Sequence, residues 1–120
     1  MTPPYGPYNG IVRDIHDGDT MGIDLDLGFD QFILAWNPIT GERAFTCRLY
    51  GINAPELSTA AGKAALKFIK TLVKPGDPVS CLSWSWDKYG GRWDGEVILP
   101  DGRNINYVML NSGHAKPMPA

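Results

Sequence analysis

The stretch "AFTCRLYGINAPE", residues 44–56, changes character halfway along. Up to Tyr50 it alternates. Phe45, Cys47 and Leu49 fall on one side and Thr46, Arg48 and Tyr50 on the other, the period of two expected of a half-buried strand. Arg48 therefore leaves the core side. A turn of small or apolar residues follows, closed by Glu56 directly behind Pro55, so a charge of each sign stands at its two ends. Taken singly, Arg48 reads as a surface charge and Glu56 as the acidic start of a helix, where negative charge is favoured.

The helix comes next. Ser58 or Thr59 can cap "AAGKAALKFIKTLVK", which stops at Pro75-Gly76. Ala61, Ala65, Phe68, Ile69, Leu72 and Val73 recur at three and four residues as one apolar stripe, with Lys63, Lys67, Lys70 and Lys74 opposite as a solvated face. Beyond it, "PVSCLSWSW" and "GEVIL" are strand candidates separated by the turn-rich "DKYGGR". A short helix, "INYVMLNS", ends at Gly113, a natural residue for the left-handed position after a helix.

On the N-terminal side, "QFILAW" and "RAFTCRLYG" flank "NPITGE", whose Pro and Gly predict a long hairpin over this region. Earlier still, "MGIDLDLGF" alternates Ile23, Leu25 and Leu27 with Asp24, Asp26 and Gly28, and pairs with "IVRDIH" through a turn near Asp17-Gly18. Residues 1–9, with three prolines and two tyrosines, read as an extended tail laid on the surface. Several short strands with one amphipathic helix fit a small closed barrel in a mainly β, α+β fold, with an oligonucleotide-binding (OB) barrel as the leading architecture.

A chain of 120 residues, 43 % apolar and 20 % charged, is about one domain. A formal net charge of −2 does not suit attachment to nucleic acid over a broad basic surface, though a local basic site is compatible with it. The first residues lack the basic and apolar regions of a leader and no segment has the ~18 apolar residues of a membrane span, so a cytoplasmic protein without membrane partners is expected. Cys47 and Cys81 lie in apolar stretches and read as buried free thiols, with a disulfide between them left open.

The order "DGDT", "RLYGINAPE", amphipathic helix, "DKYGGR", "DGRNINYVML" and "SGHAK" resembles the staphylococcal nuclease-like (thermonuclease) family across residues 10–116. That resemblance implies a five-stranded OB barrel packed by helices, between an N-terminal tail at 1–9 and a C-terminal tail at 117–120. It also implies Ca²⁺-dependent hydrolysis of single-stranded DNA or RNA to 3′-phosphate and 5′-hydroxyl products. Carried over residue by residue, Asp19, Asn53 and the main-chain carbonyl of Ala54 correspond to metal ligands. Arg48 and Arg92 correspond to the catalytic arginines, Glu56 to the general base, and Lys88 and Tyr89 to substrate contacts.

Two departures bear on activity. Asn53 stands where the family's second metal-binding aspartate falls, which keeps a carbonyl oxygen but loses a charge. An extra glycine in "DKYGGR" either lengthens the turn before Arg92 or puts Gly91 in the arginine's place. Both leave room for an alternative, a catalytically weak or inactive barrel that binds nucleic acid or a protein partner. A monomer is expected, with self-association through the apolar 29–43 hairpin as a second state.

Overall fold

The computed structural model describes residues 2–87 and 90–118. Strands β1 (Tyr5–Asp17), β2 (Thr20–Gly28), β4 (Thr46–Leu49), β6 (Pro78–Trp86) and β7 (Arg92–Ile98) run β1-β6-β7-β4-β2 and close by a direct β1–β2 pairing, giving the five-stranded barrel. Strand β3 (Gln31–Ile33) extends β2 outside this ring. The ladder is antiparallel except between β4 and β7, where Arg48 stands beside Asp94. With the strands tied in a ring, the barrel leaves few edges for other chains to pair with.

Alternation fills the interior as the sequence predicts. Ile23, Leu25, Cys47, Leu49, Cys81 and Val97 are buried inside it, and Arg48 is outside. Both cysteines are free thiols. Helix α1 (Ala60–Leu72) closes one opening through Ala65 and Ile69, and its three lysines, like Lys74 beyond its end, are exposed. Ala61, assigned to the apolar stripe, is exposed instead, and Gly62 takes the inward place. Thr59, not Ser58, is the cap, its hydroxyl accepting from the Gly62 amide at 3.0 Å. Helix α2 (Ile105–Asn111) packs against β7 and α1 and ends in Gly113 at φ 80°.

Three sequence expectations need correction. Tyr5–Asn9 are not a tail: they belong to β1 and pair with Ser83–Ser80 of β6. The prolines are tolerated because the register skips between Tyr5 and Tyr8, so Pro7 lies in an irregularity that asks it for no ladder donor. The long hairpin is only partial. Leu34 to Asn37 bond back onto Glu42 to Phe45, but beyond this arm the two sides separate, β3 pairing with the far end of β2 and β4 with its start. At the C-terminus, Pro117 is not tail either, because β8 (Lys116–Pro117) pairs with β5 (Ile52–Asn53). Among the described residues no helix is long and apolar enough to cross a membrane.

Candidate active site

Register brings the first charged pair together. Thr20, which follows Asp19 in the turn between β1 and β2, pairs with Arg48 of β4, and the Leu49 amide donates to the Asp19 carbonyl at 2.7 Å. Asp19 is 8 % exposed. Its Oδ1 accepts from the Thr20 hydroxyl at 3.0 Å, its Oδ2 from the Ala54 amide at 2.9 Å, and Arg48 Nη2 lies 3.7 Å from Oδ2. Asp17 sets this turn by accepting the Asp19 amide at 3.0 Å. Burial, then the bond with the neighbouring carboxylate, pushes the Asp17 carboxyl above its ordinary range.

Arg48 is held from β5. Its Nη1 donates to the Ile52 carbonyl at 3.1 Å and lies 3.6 Å from the Met118 sulfur, while Nη2 donates to Asn53 Oδ1 at 3.0 Å. The pairing of β5 with β8 brings Met118 to this position, its amide donating to the Gly51 carbonyl at 2.9 Å. The supposed tail thus forms one wall of the site.

Arg92 reaches the same place from the neighbouring parallel strand. It is the first residue of β7 and pairs with Thr46, while Gly90 and Gly91 at φ 78° and 70° absorb the longer turn in a conformation other residues rarely adopt. Asp87 accepts from its Nε at 3.1 Å and its Nη2 at 2.7 Å, and this bonding raises the guanidinium's already high pKa. Arg48, Arg92, Asp87, Asp94, Tyr50 and Met118 line one cleft of about 140 Å³. Arg92, not Gly91, therefore shares this cleft with Arg48.

Glu56 stands apart from this bonded cluster, exposed on the segment between β5 and α1. Its backbone is firmly placed: the Glu56 carbonyl accepts from the Thr59 amide at 3.0 Å and the Thr59 hydroxyl at 2.7 Å. A Cβ on Gly62 would collide with that same carbonyl, so Gly62 lets α1 press against the segment carrying Glu56. Lys88 and Tyr89, the expected substrate contacts, lie outside the described residues.

Asn106 was not anticipated from sequence. It is 1 % exposed, donates to the Tyr50 carbonyl at 2.9 Å and the Gly95 carbonyl at 3.1 Å, and accepts from the Val97 amide at 3.2 Å. One buried amide thus locks the end of β4 to β7. Its signal was present in sequence as a polar residue on the apolar face of a short helix, between Ile105 and Met109.

The donor set suits a hard cation in kind. Asp19 Oδ2 and Asn53 Oδ1 both approach Arg48 Nη2, at 3.7 and 3.0 Å, so two oxygens of the type Ca²⁺ prefers lie close together, turned toward the guanidinium. At Ala54 the structure records the amide, donated to Asp19, as the group facing the cluster. Among the described residues no group of three or more His, Cys, Asp or Glu side chains forms a metal cluster. A cation here would draw its remaining ligands from main-chain carbonyls, water or substrate.

A closed five-stranded barrel with two covering helices and a polar site beside the β4–β5 turn defines a small OB-fold protein. The family model of the staphylococcal nuclease homologue matches residues 46–119, and the chain belongs to that family. It is 29 % identical over 123 residues to Endonuclease YhcR of Bacillus subtilis (strain 168), a match covering 92 % of this chain and 9 % of that protein. It is 31 % identical over 107 residues to an uncharacterized endonuclease of Escherichia coli O157:H7, covering 89 % of this chain and 59 % of the other. The chain therefore spans a small part of the first relative's length and under two thirds of the second's.

Proposed function

We propose that this chain is a Ca²⁺-dependent phosphodiesterase that hydrolyses single-stranded DNA or RNA to 3′-phosphate and 5′-hydroxyl products. The observation that carries this reading is the convergence of Arg48 and Arg92 on one cleft. Hydrolysis of a phosphodiester builds negative charge on the equatorial oxygens. Two fixed guanidiniums stabilise that charge more than they stabilise the substrate, which lowers the barrier. Arginine suits this role because its planar fork donates to two oxygens without losing its proton.

Arg48 keeps N–H donors beyond those given to Ile52 and Asn53, so it can engage a phosphate without leaving its place. Asp87 orients Arg92. Glu56, exposed on the segment between β5 and α1, takes the proton of the attacking water as the water oxygen bonds to phosphorus; the bond to the 5′ oxygen breaks and that oxygen leaves as a hydroxyl with a proton from solvent. Asp19 and Asn53 would hold the Ca²⁺, which supplies Lewis-acid polarisation of a phosphate oxygen. A site that touches few phosphates also fits the net charge of −2. The endonuclease names of the two bacterial relatives support the same reaction class.

The test is digestion of single-stranded DNA with Ca²⁺, with and without chelator, beside Glu56→Gln. The variant should lose about 10²- to 10⁴-fold in kcat. Equal cleavage by both proteins would remove Glu56 as the base. One observation favours a non-catalytic binding module instead: Asn53 carries no charge and its oxygen is already engaged by Arg48. Oligonucleotide binding without measurable cleavage would select that reading.

A further inference from the structure

The cations of this chain fall into two groups. Arg13, Arg43, Arg48, Arg92 and Arg103 each form an ion pair with an aspartate. Among the described residues no lysine does, and one of these unpaired ammonium groups belongs to Lys116, exposed on β8. It is the described lysine whose strand pairs with a residue of the candidate site.

The ladder fixes the face on which Lys116 stands. β5 and β8 run antiparallel with Asn53 opposite Lys116 and Ile52 opposite Pro117, and the Met118 amide continues the register onto Gly51. Residues directly opposite one another share a face, their Cβ atoms about 4.5–5.5 Å apart, and so do residues two apart along a strand. Lys116 therefore shares a face with both Asn53 and Met118. Both touch the Arg48 guanidinium, Asn53 at Nη2 (3.0 Å) and Met118 at Nη1 (3.6 Å). Beside this ribbon lies a concavity of about 310 Å³, whose lining includes Asn53, Ala54, Pro55, His114 and Lys116 and no Asp or Glu among the described residues. His114 is held there by stacking on Phe68 of α1, with ring centroids 4.5 Å apart. Asn53 joins this concavity to the cleft, since it lines the one and is bonded to Arg48, which lines the other.

Residue 53 decides what Lys116 can bind. An aspartate there would stand opposite the ammonium and neutralise it as a cross-strand pair. Asn53 is neutral and gives its oxygen to Arg48, so the Lys116 charge stays available. A free ammonium on the face that touches Arg48, beside a hollow without carboxylates, suits an anion with charge at two neighbouring places. Lysine serves phosphate as a point charge on a flexible stem, which tolerates a group whose position varies. We propose that Lys116 is a substrate-binding residue that holds a phosphate next to the one being cleaved, while Arg48 and Arg92 hold the cleaved one. That the anion is a nucleic-acid strand rests on the phosphodiesterase reading, whereas the free charge opposite Asn53 does not. Substrates with several phosphates are then preferred over those with one.

The test compares Lys116→Gln and Lys116→Arg with the wild type on two substrates, the dinucleotide thymidylyl-thymidine, which has a single phosphate, and a thymidine tetranucleotide, which has several. Lys116 is exposed, so both variants should keep the amide spectrum of the fold. Lys116→Gln should raise KM for the tetranucleotide about threefold to tenfold with kcat unchanged, and leave cleavage of the dinucleotide as it was. Lys116→Arg, which keeps the charge, should restore most of the loss. Binding of a fluorescent tetranucleotide, measured by anisotropy with chelator present, supplies a readout that needs no cleavage. There the slope of log affinity against log salt should fall in magnitude by about 0.7 in Lys116→Gln, one phosphate contact fewer. An unmoved KM and slope in a protein that cleaves would overturn the role of Lys116. An equal loss on the dinucleotide would also overturn it, by putting the ammonium on the cleaved phosphate. A slope that falls in a protein that cleaves neither substrate would support the contact and sink the phosphodiesterase reading alone.

Discussion

The two arginines of the cleft are held in different ways. Arg48 sits within a strand, its side chain 13 % exposed, and is fastened by the Ile52 carbonyl and Asn53 with Asp19 nearby. Arg92 stands at the end of a hairpin, its side chain 40 % exposed, and depends on Asp87 for its hydrogen bonds. The β4–β5 region is fixed by ladder register. The end of the β6–β7 hairpin is fixed by one carboxylate and two glycines in a left-handed conformation. Two positive charges can share a cleft while one belongs to the rigid body of the barrel and the other to its rim.

The largest effect should come from removing the fixed charge. Arg48→Ala should lower kcat by about 10³-fold, and Arg48→Lys should recover little because an ammonium cannot reproduce the planar fork. Single-turnover cleavage of an oligonucleotide measures both. Arg92→Ala should cost less, because a rim group is replaced more readily by water, and a larger loss there would invert the comparison.

The two regions are joined by Asn106, and Asn106→Leu would leave the Tyr50 and Gly95 carbonyls and the Val97 amide short of a partner. Denaturant unfolding should register a loss of about 3 kcal/mol, with activity reduced at temperatures where the fold persists. An unchanged midpoint would mean that β4 and β7 need no such clamp.

Smaller, and opposite in sign to the usual rule, is Gly62→Ala. In an ordinary helix interior this exchange stabilises by roughly 0.5–1 kcal/mol. Here the new methyl would meet the Glu56 carbonyl, so a loss of about 1–3 kcal/mol is expected, with cleavage falling as Glu56 is displaced. A stabilised, fully active variant would show that the segment carrying Glu56 yields easily. The smallest change should follow Asp87→Asn, which keeps a hydrogen-bond acceptor but removes the charge paired with Arg92. Cleavage should fall about threefold to tenfold, chiefly through kcat, since a partly exposed pair of this kind contributes on the order of 1 kcal/mol.

The rigid region was also the more legible in sequence. Strict alternation placed Arg48 outside the barrel, and the Asp-Gly turn put Asp19 at the start of β2. Once β2 and β4 pair, the two must meet. Arg92 was ambiguous because an inserted glycine can be absorbed in a loop or can shift a register, and only the pairing of Thr46 with Arg92 decides between them. Tyr5–Asn9 were misread because prolines discourage strand assignment, whereas a bulge against β6 accommodates Pro7. The β5–β8 pairing and the contact of Met118 with Arg48 join residues about sixty-five to seventy positions apart, and no local pattern announces such a meeting. Asn106 escaped for a related reason: its three partners all lie on other elements.

The two interior thiols offer a way to watch the barrel open. Burial pushes Cys81 up to about 12 and Cys47 well above its ordinary value, the neighbouring thiol adding to the effect at Cys47. Neither is ionised near neutral pH, and the thiolate is the reactive form. A maleimide applied to the closed protein should therefore label almost nothing, and each tagged molecule records an excursion in which strands β4 or β6 came away from the ring. The labelling rate, read by mass spectrometry, becomes a clock for that excursion.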